Sequence, residues 1–169
     1  MMYMQNSNPV KRSVVSLFGL LIISFSVNAL ESDRQQKITL DGEGCISKLT
    51  IGQTECPNGM VIRQGSLKIE SDYGLITHKD NQIATVKMTG SPVHMQQQMD
   101  DGTLMTIQAN QIDFDYQVET AFLKGDVRIE NNIGISTGEA MEFNLKTQEV
   151  KAVGEQNQQF RLVIDPNND

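Results

Sequence analysis

The strongest constraint on this chain is that it repeats itself. Residues 109–125 (ANQIDFDYQVETAFLKG) align without gaps on residues 138–154 (GEAMEFNLKTQEVKAVG), setting Ile112 on Met141, Phe114 on Phe143, Tyr116 on Leu145 and Gly125 on Gly154, 29 residues apart. A unit this short cannot bury an apolar face until a neighbour stacks on it, so the period announces a layered architecture. Inside each copy, apolar and polar residues alternate. Asp113 and Asp115 separate Ile112, Phe114 and Tyr116, while Glu142 and Asn144 separate Met141, Phe143 and Leu145. That is the two-residue period of a strand with one dry and one wet face. A short polar link and a second strand ending in Gly follow, so each copy reads as a long hairpin. Hairpins stacked side by side give apolar sheet faces that must cover each other or cover a ligand.

The remainder of the chain is made of similar material. Short alternating runs fall at residues 37–40, 46–51, 60–64, 66–71, 74–78, 82–88, 93–98 and 103–108, and a last one at 159–164. Between the repeat copies, residues 126–131 and 133–136 echo 60–64 and 66–71 at a spacing near 66 residues. Gly65 and Gly74 mark bulges or sharp bends, Gly90-Ser91-Pro92 marks a turn, and Asp100-Asp101-Gly102 marks a hairpin turn. No run after the N-terminal segment carries apolar residues at helical spacing over three turns. The expectation is an all-β protein, a twisted two-sheet jelly roll of about fifteen short antiparallel strands over residues 37–165, with open edge strands at both ends. Residues 30–36 read as a flexible lead-in and 166–169 as a polar tail.

The first 29 residues stand apart. Lys11 and Arg12 precede an apolar run over residues 13–27, and Val27-Asn28-Ala29 supplies small residues for cleavage after Ala29. This is the pattern of an export signal; the alternative is an uncleaved N-terminal anchor, although the run falls short of the roughly 20 apolar residues a span wants. Losing Lys11 and Arg12 takes the formal charge from −7 to −9. So acidic a chain lacks the basic stripe that nucleic acid or an anionic membrane surface requires. In an exported protein Cys45 and Cys56 read as a disulfide stapling a loop, while a metal site would need more ligands close by.

No catalytic constellation emerges. There is no nucleophile elbow, phosphate loop or zinc-protease motif, and no cofactor signature. Asp113 and Asp115 share a strand face, but it is the one opposite Ile112, Phe114 and Tyr116, so they form a solvated face rather than a catalytic pair. His78 and His94 stand alone in polar strand contexts. Met88, Met95, Met99, Met105 and Met141 suit either a packed core or a surface that accommodates a flexible apolar ligand. Two physical features remain. One is a long inner face with few aromatics to plug it. The other is a pair of unblunted terminal strands, with Lys37 and Thr39 at one edge and Phe160, Leu162 and Ile164 at the other, each a template for strand addition.

Residues 59–72 (GMVIRQGSLKIESD) resemble the G-x-V-x-x-x-Q-G-x-x-x-I-x-A-D element of the OstA-like family, and residues 121–129 (AFLKGDVRI) resemble its second occurrence. The likeness runs from about residue 36 to residue 166. The chain departs from the family around Cys45 and Cys56, at Gly74, at Met95 where an aromatic is common, and in its short tail. The resemblance implies a non-enzymatic periplasmic protein that binds the acyl chains of lipopolysaccharide between its sheets and stacks end to end with copies of itself. It implies a bridge in which the N-terminal edge meets the inner-membrane adaptor LptC and the C-terminal edge meets the outer-membrane protein LptD. Carried over position by position, it sets Ile38, Leu40, Met95 and Tyr116 against lipid, joined by Phe114 and Phe143 on the same faces. The alternatives are a membrane-anchored adaptor of the same pathway, similar to LptC, and a structural or glycan-binding β protein with a filled core and no lipid groove.

Overall fold

The computed structural model describes residues 29–80, 82–154 and 159–164. In chain order the elements are helix α1 (Ala29–Arg34), then strands β1 (Thr39–Gly42) and β2 (Ile46–Lys48), a 3-10 turn at Leu49–Ile51, and β3 (Gln53–Cys56), β4 (Met60–Gln64), β5 (Leu67–Ser71) and β6 (Tyr73–Lys79). Four long strands follow, β7 (Gln82–Gln98), β8 (Leu104–Asp115), β9 (Thr120–Glu130) and β10 (Gly134–Asn144), and β11 (Glu149–Ala152) and β12 (Arg161–Ile164) close the chain. Every pairing among the described residues is antiparallel. The expected export signal and its cleavage point, apart from Ala29 itself, and the expected tail lie outside the described residues.

The four long strands make two layers out of one sheet. Residues 82–89 of β7 pair with β6, whereas residues 94–96 of the same strand pair with β5. At the far side, residues 141–144 of β10 pair with β11 and residues 134–137 with β12. The break falls at one level in all four strands. Register slips between Thr89 and Val93 in β7, between Gln108 and Gln111 in β8, at Gly125 and Asp126 of β9, and between Gly138 and Ala140 in β10. This column of bulges is the crease along which the sheet folds. One layer runs β2-β3-β6 and on through the half-strands to β11; the other runs β1-β4-β5 and on to β12.

Inserting a residue at the crease would turn every later side chain to the opposite face. The sequence compensates by shifting its own alternation. Val86 and Met88 are buried before the break in β7 and Val93 and Met95 after it; in β8 the buried set moves from Met105, Ile107 and Ala109 to Ile112 and Phe114. The core is therefore continuous between the layers, and the methionines expected either in the core or on a ligand surface all pack within it.

Four expectations change in detail. The fifteen short strands become twelve among the described residues, because four adjacent pairs are each one strand bent at the crease and because β3 occupies part of what reads as a loop. Gly90-Ser91-Pro92 is a bulge inside β7, not a turn between two strands. Gly65 is a sharp bend, in keeping with one of its two readings, but at a strand end: it sits in the two-residue turn between β4 and β5 with φ +59°. Helix α1 takes in residues 30–34 of the expected lead-in together with Ala29, and Asp33 is buried. The Asp100-Asp101-Gly102 turn forms as expected, with Gly102 N–H donating to the Met99 carbonyl at 2.9 Å. The hairpin repeat is realised almost atom for atom. Asp115 Oδ1 accepts from the Gln117 N–H at 2.8 Å, and Asn144 Oδ1 accepts from the Lys146 N–H at 3.0 Å. Glu119 and Gln148 close the two turns with φ of 52° and 58°.

Candidate functional site

Opposite the crease, the free ends of the two layers face each other across a mouth. One lip is the second layer's β4–β5 turn and the end of β7, contributing Gln64, Leu67 and Gln97. The other lip is the first layer's pair of repeat hairpins, contributing Phe114, Tyr116, Glu119 and Leu145. Between them lies a cavity of about 180 Å³, larger than the ~150 Å³ that admits a benzene-sized guest. A second recess of about 660 Å³ shares Arg34 and Tyr116 with it and opens past Ile38 and Ile83 to the surface.

Helix α1 straps the mouth. The Asp33 carboxylate accepts a hydrogen bond from Ser66 Oγ, which itself accepts from the Gln98 N–H at 2.9 Å. Gln64 Nε2 donates to the Arg34 carbonyl at 3.0 Å, and Arg34 Nη2 reaches Glu119 Oε2 at 2.9 Å on the other lip. A Cβ on Gly65 would overlap the Asp33 carboxylate, so the glycine is what lets the strap lie flat. Two polar groups in the wall have no partner among the described residues, Gln97 Oε1 and Tyr116 Oη. Burial pushes the Tyr116 phenol up to about 12, since desolvation disfavours the phenolate. Its ring stands edge-on to Phe114, centroids 4.6 Å apart.

The residues expected against lipid do not all meet at one place. Phe114 and Tyr116 line the mouth, Ile38 lines the outer recess, and Leu40 packs half-buried against the core. Met95 and Phe143 lie deep between the layers, each 2% exposed. Missing from the expectation were Leu145, Leu67, Gln97 and the strap residues Asp33 and Arg34. Leu145 had a signal, because it is the repeat partner of Tyr116. Cys45 and Cys56 are bonded, with Cα atoms 4.1 Å apart, and no cluster of three potential metal ligands occurs among the described residues. The terminal strands are edges, since among the described residues β1 pairs only with β4 and β12 only with β10; Thr39, Leu162 and Ile164 lie in them, and Lys37 and Phe160 just outside.

Residues 53–149, more than half of the chain, match the family described as LptA/(LptD N-terminal domain) LPS transport protein. The chain belongs to this family. Over 160 residues it is 25% identical to the lipopolysaccharide export system protein LptA of Haemophilus influenzae, covering 93% of each chain. Its fold is that of LptH of Pseudomonas aeruginosa, described as the LptA-homologous periplasmic component of the conserved lipopolysaccharide transport device. The TM-score is 0.72 at 20% identity, over 80% of this chain and 99% of that one. The matched segment runs from β3 to the first residue of β11, so it holds the crease, the first repeat hairpin with the leading strand and turn of the second, and most of the mouth. The Cys45 half of the disulfide and the strap lie before it.

Proposed function

We propose that this chain is a periplasmic lipopolysaccharide-binding bridge component. It shelters acyl chains between its layers during transport from the inner to the outer membrane, and it joins its neighbours by strand addition. The observation that carries the reading is a continuous apolar interior that opens at a mouth in a protein whose two terminal strands are both free edges. Each acyl methylene left in water costs about 0.8 kcal/mol, so a chain of a dozen carbons costs on the order of 10 kcal/mol to expose. An apolar trough removes that cost with no bond made or broken, in keeping with a family of transport proteins; the chain is not an enzyme. The acidic surface keeps the phosphorylated headgroup outside and leaves the acyl chains as the handle.

In this reading Phe114 and Tyr116 receive the acyl chains, Ile38 and Leu40 flank their entry, and Met95 and Phe143 line the depth to which they reach. Partners are further copies of this chain, an inner-membrane adaptor of the LptC kind at β1 and an outer-membrane protein of the LptD kind at β12. Export is completed by cleavage after Ala29, and an N-terminal sequence beginning at Leu30 is the expected result for the periplasmic protein. The experiment that tests the binding places a photo-crosslinking side chain at Phe114 or at Lys87, which is exposed on the outer face of the same layer. Lipopolysaccharide is captured at Phe114 and not at Lys87; equal labelling at both sinks the reading.

A further inference from the structure

We propose that the mouth holds a hydrogen-bonding subsite that selects acyl chains carrying a hydroxyl or an amide N–H near their carbonyl. The inference rests on the lipid-carrier reading and deepens it. It starts from Gln97, which is 4% exposed and lines the cavity, and whose Oε1 has no partner among the described residues. Across the cavity the Tyr116 hydroxyl is likewise unpartnered. Buried polar groups are almost always satisfied, and an orphan is costly enough to need an explanation. Two orphans on facing walls of one cavity, with Leu67, Phe114 and Leu145 as the apolar surround, are explained by a guest that is mostly hydrocarbon and partly polar.

The donor inventory narrows that guest. A carboxamide oxygen only accepts, so it needs an O–H or N–H from the ligand. A phenol can donate to a carbonyl. A hydroxyacyl or N-linked acyl chain satisfies both groups, with its O–H or N–H on Gln97 Oε1 and its carbonyl on Tyr116 Oη. An unsubstituted fatty ester satisfies Tyr116 alone and leaves Gln97 orphaned. Sites built to pair a ligand hydroxyl discriminate strongly against the analogue that lacks it, because their own buried group is then left bare.

The test uses the mature full chain with 3-hydroxytetradecanoic acid and tetradecanoic acid, which share chain length and head charge. Displacement of a fluorescent fatty acid gives both affinities for the wild type, Gln97→Met and Tyr116→Phe, with lipopolysaccharide binding measured alongside. The wild type prefers the hydroxy acid by about tenfold, the loss expected for one unmet buried acceptor. In Gln97→Met the preference falls to about onefold and tetradecanoic acid binds no worse. Tyr116→Phe weakens both acids together and keeps the preference. If Gln97→Met does not fold, Gln97→Leu takes its place. Wild-type binding of lipopolysaccharide with equal affinity for the two acids overturns the subsite alone, as does a preference that survives in Gln97→Met; ordered water then fills the orphans. Binding of neither acid nor lipopolysaccharide overturns the subsite together with the carrier reading.

Discussion

Tyr116 shows how one side chain reports on the mouth. Its phenol keeps its proton up to about pH 12 in the folded chain against an ordinary value of 10.0, and burial is the cause. Between those values the unfolded chain has lost a proton that the native state still holds, so stability falls as pH rises through the window. The loss across that window is on the order of 3 kcal/mol. Tyr116→Phe should therefore lose less stability than the wild type between about pH 10 and about pH 12, read by urea melts. Tyr73 is also raised, mainly through its hydrogen bond to Glu55, and it is half-buried; it stays in place in both proteins, so the difference belongs to Tyr116. Gly65→Ala tests the strap. With φ +59° and the Asp33 carboxylate in the way, the substitution should cost about 1–2 kcal/mol and free α1 to exchange its amide hydrogens early. At this scale the sequence was half legible. Phe114 and Tyr116 follow from alternation and Leu145 from the repeat. Gln97 sits in a run of three glutamines that reads as a wet strand, and only its phase with Val93 and Met95 marks it as inward.

At the scale of elements, the repeat predicted its own geometry because a hairpin is specified locally. Alternation fixes the faces, and an Asp or Asn at the strand end fixes the turn by accepting the backbone N–H groups that follow it. Asn144 does more than Asp115: its Nδ2 also donates to Val118 O at 3.2 Å and Thr120 Oγ1 at 3.1 Å, tying one hairpin to the other. Asn144→Ala should cost about 1–2 kcal/mol in a denaturant melt, and Asn144→Asp, which keeps the acceptor and loses the donor, about half of that. The crease was not legible. A bulge inside a strand and a turn between strands use the same residues, Gly, Ser and Pro, and only pairing partners distant in sequence decide between them. That is why Gly90-Ser91-Pro92 reads as a reversal and is in fact a bend. The disulfide ties Cys45, beyond β1, to the buried Cys56 at the end of β3. A Cβ at Gly42 would lie 2.5 Å from Cys45 Sγ, so the strand is fitted tightly to the bridge. Replacing both cysteines by serine should cost about 2–3 kcal/mol, concentrated as faster amide exchange in β2 and β3.

For the whole molecule, the crease has a consequence that no single strand shows. Folding one sheet into two layers puts β1 and β12 at opposite edges of the same layer, with β4, β5 and the four half-strands between them. A copy added at β12 through its own β1 would therefore extend that layer, and we propose that the trough beneath runs on with it. The β12 edge is unblunted, carrying Leu162, Val163 and Ile164 at 47%, 39% and 62% exposure. Natural edges are normally protected by charge, proline or a bulge, so an apolar one reads as a joint. The free β1 edge carries Thr39, Leu40 and Asp41, with Asp41 held by Arg63 at 2.9 Å. Removing residues 159–169 takes away one joint and none of the mouth. The shortened protein should stay monomeric at concentrations where the full chain forms a ladder of oligomers in sedimentation velocity. It should still bind lipopolysaccharide, about one-for-one with the full chain per protomer. A ladder that persists after the deletion would move the joint to the other layer, whose free edges among the described residues are β2 and β11. A monomer that has also lost lipopolysaccharide would mean that the trough is completed only between copies, and that shelter and assembly are one property of the chain.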